Sequence, residues 1–195
     1  MNDEIGRELT VLEYTILGML SVEPQSGYSI IGLLEKGDRR LSNSAGAIYP
    51  ALKRLEKYDI IAGEVEASNE LRPRKLYALT PRGEKYLDAW LREPLPNEDL
   101  LENNEIMLRK FLFAERRLSR AEVLEWLEAY EKAIETYDAT RRLWYETQMN
   151  FSSLHQQLVL EATRMELDTV RAWIKAARAR LKAEPIDSEA PVMEP

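Results

Sequence analysis

Apolar positions change their period twice along the chain. Leu9, Leu12, Ile16, Leu17 and Leu20 recur at helical spacing, and VEPQSG then breaks the pattern. Tyr28, Ile31 and Leu34 predict a second, short helix with these three on its inward side, Ser26 as its N-cap and Gly37-Asp38 as its end. After a polar connection, Ser44 is placed to cap a third helix running to about Tyr58, in which Ile48, Ala51, Leu52 and Leu55 share one face. The period then shortens. IIAGEVEA and RKLYALT read as two strands around the polar tip SNELRP, with Leu76 and Ala78 on one face and Lys75, Tyr77 and Leu79 on the other. Thr80 followed by Pro81 starts a fourth helix, carrying Tyr86, Leu87, Trp90 and Leu91. Helix, helix, turn, helix, hairpin is the order of a winged helix-turn-helix with a two-stranded wing.

EPLPN, at 93–97, breaks the pattern again, and all eight glycines lie before it. Beyond it three helical segments are predicted. The first, about 99–117, carries Leu101, Leu108, Phe111 and Leu112. The second opens on the capping box Ser119–Glu122 and repeats Val123, Leu127, Tyr130, Ile134, Tyr137, Arg141 and Trp144 in steps of four and three, a coiled-coil seam with one basic interruption. The third opens on Ser153–Gln156, another capping box. Leu160, Leu167, Val170, Ile174, Ala177 and Leu181 lie on one side, and Ala162, Met165, Ala172, Ala176 and Ala179 on a second. A helix with two apolar sides needs two partners, and a single intrachain hairpin supplies one, so a second chain is expected. The tail EPIDSEAPVMEP is polar, acidic and proline-rich, and is expected to be disordered. The predicted division is a winged domain at 1–92, a helical dimerisation domain at 98–183 and a tail at 184–195. The fold class is mainly α: an α+β winged helix-turn-helix followed by an all-α domain.

Composition narrows the chemistry. The 195 residues include no cysteine and one histidine, His155, which excludes disulfides, thiolate metal sites and multi-histidine metal sites. No glycine-rich phosphate loop is present, and the carboxylates of 122–138 lie among expected exposed helical positions with lysine and arginine nearby, so pairing and solubility explain them. An enzyme therefore has little support, and no cofactor or metal is expected. No apolar run reaches the ~18 residues of a membrane span, and the acidic N-terminus is not a secretory signal, so no membrane partner is expected and a cytoplasmic location is. Net charge is −7, yet residues 36–82 hold ten basic and six acidic residues. A local basic segment in an acidic protein points to a confined anionic partner.

That segment holds the third helix. Opposite its core face it presents Gly46, Tyr49, Pro50, Lys53 and Lys57. Its first turn, with Ser42, Ser44, Ala45 and Gly46 around it, is small enough to approach another surface closely, and its backbone N–H groups favour phosphate. Two lysines and a planar tyrosine complete what a helix in the major groove of double-stranded DNA requires. Arg72, Arg74 and Lys75 supply a second basic group at the hairpin, where a wing meets the DNA backbone or minor groove. Pro50 lies beyond the first turn and disfavours the helix by ~3 kcal/mol unless the local shape accommodates it.

LTVLEYTILGML, SGYSI at 26–30, SAGAIYPALKRLEKYDII at 44–61 and RKLYALTPRGEKYL at 74–87 resemble the N-terminal domain of the PadR family of bacterial transcriptional regulators. The second part resembles the longer, Vir-like branch, mainly through LRKFLF at 108–113 and its helical pattern. The resemblance implies a homodimeric repressor on a pseudo-palindromic operator, with Tyr49 at the DNA, the hairpin as wing and Tyr28 near phosphate. Ser26 stands where relatives frequently carry histidine. The residues assigned to the dimer contact are Leu9, Leu12 and Ile16 with Leu160, Leu167, Val170, Trp173, Ile174, Ala177 and Leu181. Some relatives sense phenolic acids or planar drugs, which makes a planar aromatic or phenolic effector a candidate partner. Trp90, Trp126, Trp144 and Trp173 could stack on one, although core or interface tryptophans are the commoner case. The alternative to DNA binding is a winged-helix module that binds protein.

Overall fold

The computed structural model describes residues 7–36, 45–66, 74–94, 104–148 and 153–183. The described elements are α1 (Val11–Leu20), β1 (Gln25–Ser26), α2 (Gly27–Lys36), α3 (Ala45–Lys57), β2 (Ile61–Glu66), β3 (Arg74–Leu79), α4 (Pro81–Arg92), α5 (Asn104–Ala114), α6 (Arg120–Gln148) and α7 (Leu154–Ala183). They fall into two units. One holds residues 1–93 and 103–118; the other holds 94–102 and 119–195.

The first unit is a winged helix. Ile16, Leu17 and Leu20 of α1 form its core with Ile30, Ile48, Leu52, Leu55, Ile60, Leu87 and Leu91. Thr10 caps α1 in a capping box with Glu13, and Ser26 accepts the Ser29 N–H at 3.1 Å as expected of the α2 cap. Thr80 caps α4 by accepting the Gly83 N–H at 3.1 Å, with Pro81 at the first helical position. The hairpin pairs Ile61 with Leu79 through Glu66 with Arg74. The wing carries one strand more than the pattern predicted, because Gln25–Ser26 pairs antiparallel with β3 in the order β1-β3-β2. Two residues are too few for alternation to register.

The turn between α3 and β2 places Asp59 at φ 55°, in the left-handed region, while Ile60 N–H donates to Leu55 O at 2.9 Å. This six-to-one bond closes α3 as a Schellman cap does. Thr80 Oγ1 donates to Asp59 O at 2.7 Å, which locks the α3 end to the start of α4.

The predicted boundary after residue 92 moves. α5, expected among the C-terminal helices, belongs to the first unit. Its expected apolar face is also corrected. Met107, Arg109, Lys110, Phe113 and Ala114 are buried, whereas Leu112 is half exposed; Leu101 lies outside the described residues. Arg109 donates to Thr15 Oγ1 at 2.7 Å, and Lys110 donates to Glu93 O at 2.7 Å with its ammonium 5.2 Å from the Trp90 ring. The apolar stems of arginine and lysine can line a core when their charged heads find polar partners, and hydropathy does not register them. The Phe113 ring occupies the place of a Gly18 side chain: a Cβ there would fall 2.3 Å from it. Trp90 in turn stacks on Tyr14, with ring centroids 4.6 Å apart.

The second unit pairs α6 with α7. Arg171 bonds Asp138, and Arg178 bonds Glu128 and Glu131, so one helix runs antiparallel to the other. Both expected caps are present, Ser119 with Glu122 and Ser153 with Gln156. Val123, Leu127, Tyr130 and Ile134 are buried, but the seam opens toward Trp144, which is exposed, and Arg141 turns back onto the Tyr137 ring. Trp126 stacks on Tyr130 at 5.9 Å. His155 is exposed. No described helix is long and apolar enough to cross a membrane.

The residues assigned to a dimer contact are largely occupied within the protomer. Leu9 and Ile16 are buried in the winged-helix core, and Leu12 packs against it. Leu167, Val170 and Ile174 are buried in the α6–α7 pair, with Leu160, Trp173, Ala177 and Leu181 half-buried on the same side. The larger apolar side of α7 serves the hairpin, because contact within one chain requires no association. The opposite side carries Leu154, Leu158, Ala162, Met165, Ala172, Ala176 and Ala179 and is exposed, Met165 at 65%.

Candidate nucleic-acid interface

α3 presents two faces. Ile48, Ala51, Leu52 and Leu55 are buried, as their spacing predicts, and Gly46, Tyr49, Pro50, Lys53 and Lys57 are exposed. The helix begins at Ala45, so Pro50 lies inside it. Proline has no N–H to give the Gly46 carbonyl, four residues back, and the missing side chain at Gly46 eases the crowding.

Tyr49 is 54% exposed, and its ring leans on Gly27: a Cβ at Gly27 would stand 2.8 Å from the Tyr49 ring. Glycine at the head of α2 thus sets the tilt of the tyrosine on α3. Tyr28, next in sequence, is 81% exposed. Tyr28, expected on the inward side of α2, is therefore outward, directly after the glycine on which Tyr49 leans.

The cations sort into two kinds. Lys53 has no acidic partner among the described residues, and Lys57 Nζ sits 5.5 Å from the Tyr58 ring centroid. Lys75 differs. Its Nζ lies 2.6 Å from Glu56 Oε1 on α3, a bond that raises its pKa, and 5.3 Å from the Tyr77 ring. A Cβ at Gly63 would fall 2.2 Å from Lys75 Cε, so glycine leaves room for this strut. Lys75 was expected at the DNA; the structure pairs it with Glu56 of α3, which offsets its charge. Arg74 is exposed at the start of β3. Ser42, Ser44 and Arg72 lie outside the described residues, and Ala45 is described only as the first residue of α3.

One group absent from the predicted site borders it. The Glu13 carboxylate is fully buried and accepts from Arg7 Nη2 at 2.7 Å and Nη1 at 3.0 Å, from Thr10 N at 2.8 Å and from Arg54 Nε at 3.0 Å. Burial raises its pKa, but the bonds from Arg7, Thr10 and Arg54 together outweigh burial and hold it at about 2. The sequence signal was Thr10-x-x-Glu13, a capping-box spacing like those at 119 and 153. Among the described residues no group of three or more histidine or acidic side chains could hold a metal ion.

Residues 16–89 match the transcriptional regulator PadR-like family. Through this domain the chain belongs to the PadR-like family of transcriptional regulators. The negative transcriptional regulator PadR of Bacillus subtilis is 32% identical over 109 residues, 54% of this chain; the chain spans 58% of that relative's length. Among solved structures, Bacillus subtilis PadR in complex with operator DNA is 25% identical, with 90% of this chain and 99% of that one covered and a TM-score of 0.42. A PadR-like transcription factor from Bacteroides fragilis is 38% identical, with 40% and 74% covered and a TM-score of 0.36. The PadR-like match begins inside α1 and ends inside α4, so it contains α3 and the wing.

Proposed function

We propose that this PadR-like protein binds an operator duplex through the exposed face of α3 and acts as a homodimeric repressor. One observation carries the reading. The helix buries its apolar stripe and leaves Gly46, Tyr49, Lys53 and Lys57 outward, with Tyr28 exposed on α2 and Lys53 unopposed by any described acid. A small-residue helix start with outward cations and planar hydroxyl-bearing rings suits a groove lined with phosphate and base edges. Arg74 extends the positive edge at the wing. The relative crystallised on operator DNA supports the same partner for this chain.

The exposed side of α7, with Leu154, Leu158, Met165 and its alanines, supports a second copy as the dimer partner. Small residues let two helices approach closely, and apolar burial drives the contact. The reading of repression, and of relief by a planar aromatic or phenolic effector, rests on the resemblance to PadR-like regulators.

The test is fluorescence anisotropy with a duplex from the region upstream of the chain's own gene, across a salt series. Affinity should fall steeply with salt, each neutralised phosphate contributing a log–log slope of about −0.9. Lys53→Glu should weaken binding about tenfold or more. Salt-insensitive binding, or none alongside a stable protein partner, would favour the protein-interaction module instead.

A further inference from the structure

Arg54 also lies on α3, one residue from Lys53, on the flank that turns toward α1. We infer that it is a pre-set phosphate clamp, held by the buried Glu13 and neutralised by it only in part. This rests on the DNA-binding reading of α3.

The charge count makes the case. Glu13 is one carboxylate between two guanidiniums. Arg7 takes both of its oxygens, at 2.7 and 3.0 Å, in the bidentate geometry that pairs one arginine with one carboxylate. Arg54 reaches the same Oε1 only through Nε, at 3.0 Å. The cluster of Arg7, Arg54 and Glu13 therefore carries one positive charge in excess. Arg7 and Arg54 are similarly exposed, at 42% and 44%, and it is the bond pattern that places the excess at the Arg54 end: Arg7 holds both carboxylate oxygens and Arg54 shares one. Its two Nη groups meet no acceptor among the described residues.

A structural ion pair would have used the fork. Holding Nε alone leaves the terminal Nη pair, two parallel donors in the geometry that matches a phosphate. The anchor also fixes a chain that is otherwise rotamer-rich, so less freedom is lost when an anion binds. Lys53 and Lys57 have no such anchor. The α3 surface thus combines mobile cations with one fixed one. A fixed guanidinium on a flank suits the DNA backbone, setting how deeply the helix enters the groove rather than which base it meets.

The test compares full-length wild type, Arg54→Gln, Arg54→Lys and Lys53→Gln on the upstream duplex across a salt series, with thermal melts alongside. Arg54→Gln should lose about tenfold in affinity and reduce the log–log salt slope by about 0.9 per bound protomer, as should Lys53→Gln. Arg54→Lys should restore the slope but not the full affinity. A duplex series carrying single neutral methylphosphonates should contain one linkage that weakens wild type and leaves Arg54→Gln unaffected. If Lys53→Gln lowers the slope while Arg54→Gln lowers only the melting temperature, Arg54 is a strut and the inference fails. If wild type shows no salt-dependent binding at all, the DNA-binding reading fails first.

Discussion

Protonating Glu13 should destabilise the winged unit by a measurable and pH-dependent amount. Its carboxyl is held at about 2 against an ordinary 4.5, and each pH unit of such a shift is worth ~1.4 kcal/mol, so the charged form contributes about 3 kcal/mol. The folded-state value is the lower one. The contribution is therefore complete above pH 4.5 and is lost as pH falls toward 2, with about 2 kcal/mol gone by pH 3. Glu13→Gln keeps the size of the side chain but removes the charge, so its stability should not share this dependence. The assay is urea unfolding of both proteins from pH 7 to pH 3, read by pulsed hydrogen exchange on peptides covering α1 and α3. Those peptides report on the first unit alone. The gap between wild type and Glu13→Gln should shrink by about 2 kcal/mol over that range. A gap that stays constant would mean that the carboxylate gains nothing from Arg7, Thr10 and Arg54, and the reasoning would be wrong.

Other outcomes are expected. Gly83→Ala should cost several kcal/mol, because a Cβ would fall 2.1 Å from the Ile60 carbonyl, a backbone atom that cannot rotate away; thermal melts of the full chain would show it. Asp59→Gly should stabilise the chain by roughly 0.5–1 kcal/mol, since only glycine adopts the left-handed φ of 55° without cost; a lowered melting temperature would contradict the turn geometry. Tyr14 and Tyr130 are pushed up to about 12, mainly by burial. Their folded values lie above the ordinary 10, so stability is present below pH 10 and is lost as pH rises toward 12. Absorbance titration at 295 nm should show that Tyr14→Phe and Tyr130→Phe each remove a phenol that is still un-ionised at pH 11 in the wild type. Gly27→Ala should displace the Tyr49 ring and weaken DNA binding, with a smaller loss of stability where the added Cβ meets Leu52 at 3.2 Å, read by anisotropy beside a melt.

Much of the interface could be read before any coordinates. Side-chain period alone separated Ile48, Ala51, Leu52 and Leu55 from Tyr49 and Lys53, because an amphipathic helix has only one way to face a core. What the period does not reveal has a common cause. Lys75 and Lys53 are the same residue type in the same basic segment, yet one is bound to Glu56 and the other has no described partner. Nothing near Arg54 in the sequence marks it out, because Glu13 lies 41 positions away. α5 was assigned to the wrong unit because its docking relies on Arg109, Lys110 and the absence of a side chain at Gly18, none of which hydropathy registers.

Local rules were enough for whatever depends on near neighbours. Helix and strand periods, the caps at Ser26, Thr80, Ser119 and Ser153, and the outward face of α3 all rest on residues a few positions apart, whose geometry the backbone dictates. The folded chain alone decided which cations are opposed, which side of α7 remains open, and that a two-residue strand joins the wing. Those outcomes turn on distances between residues remote in sequence. Charge and apolar area act through space, so composition supplies the groups, but packing settles which of them meet.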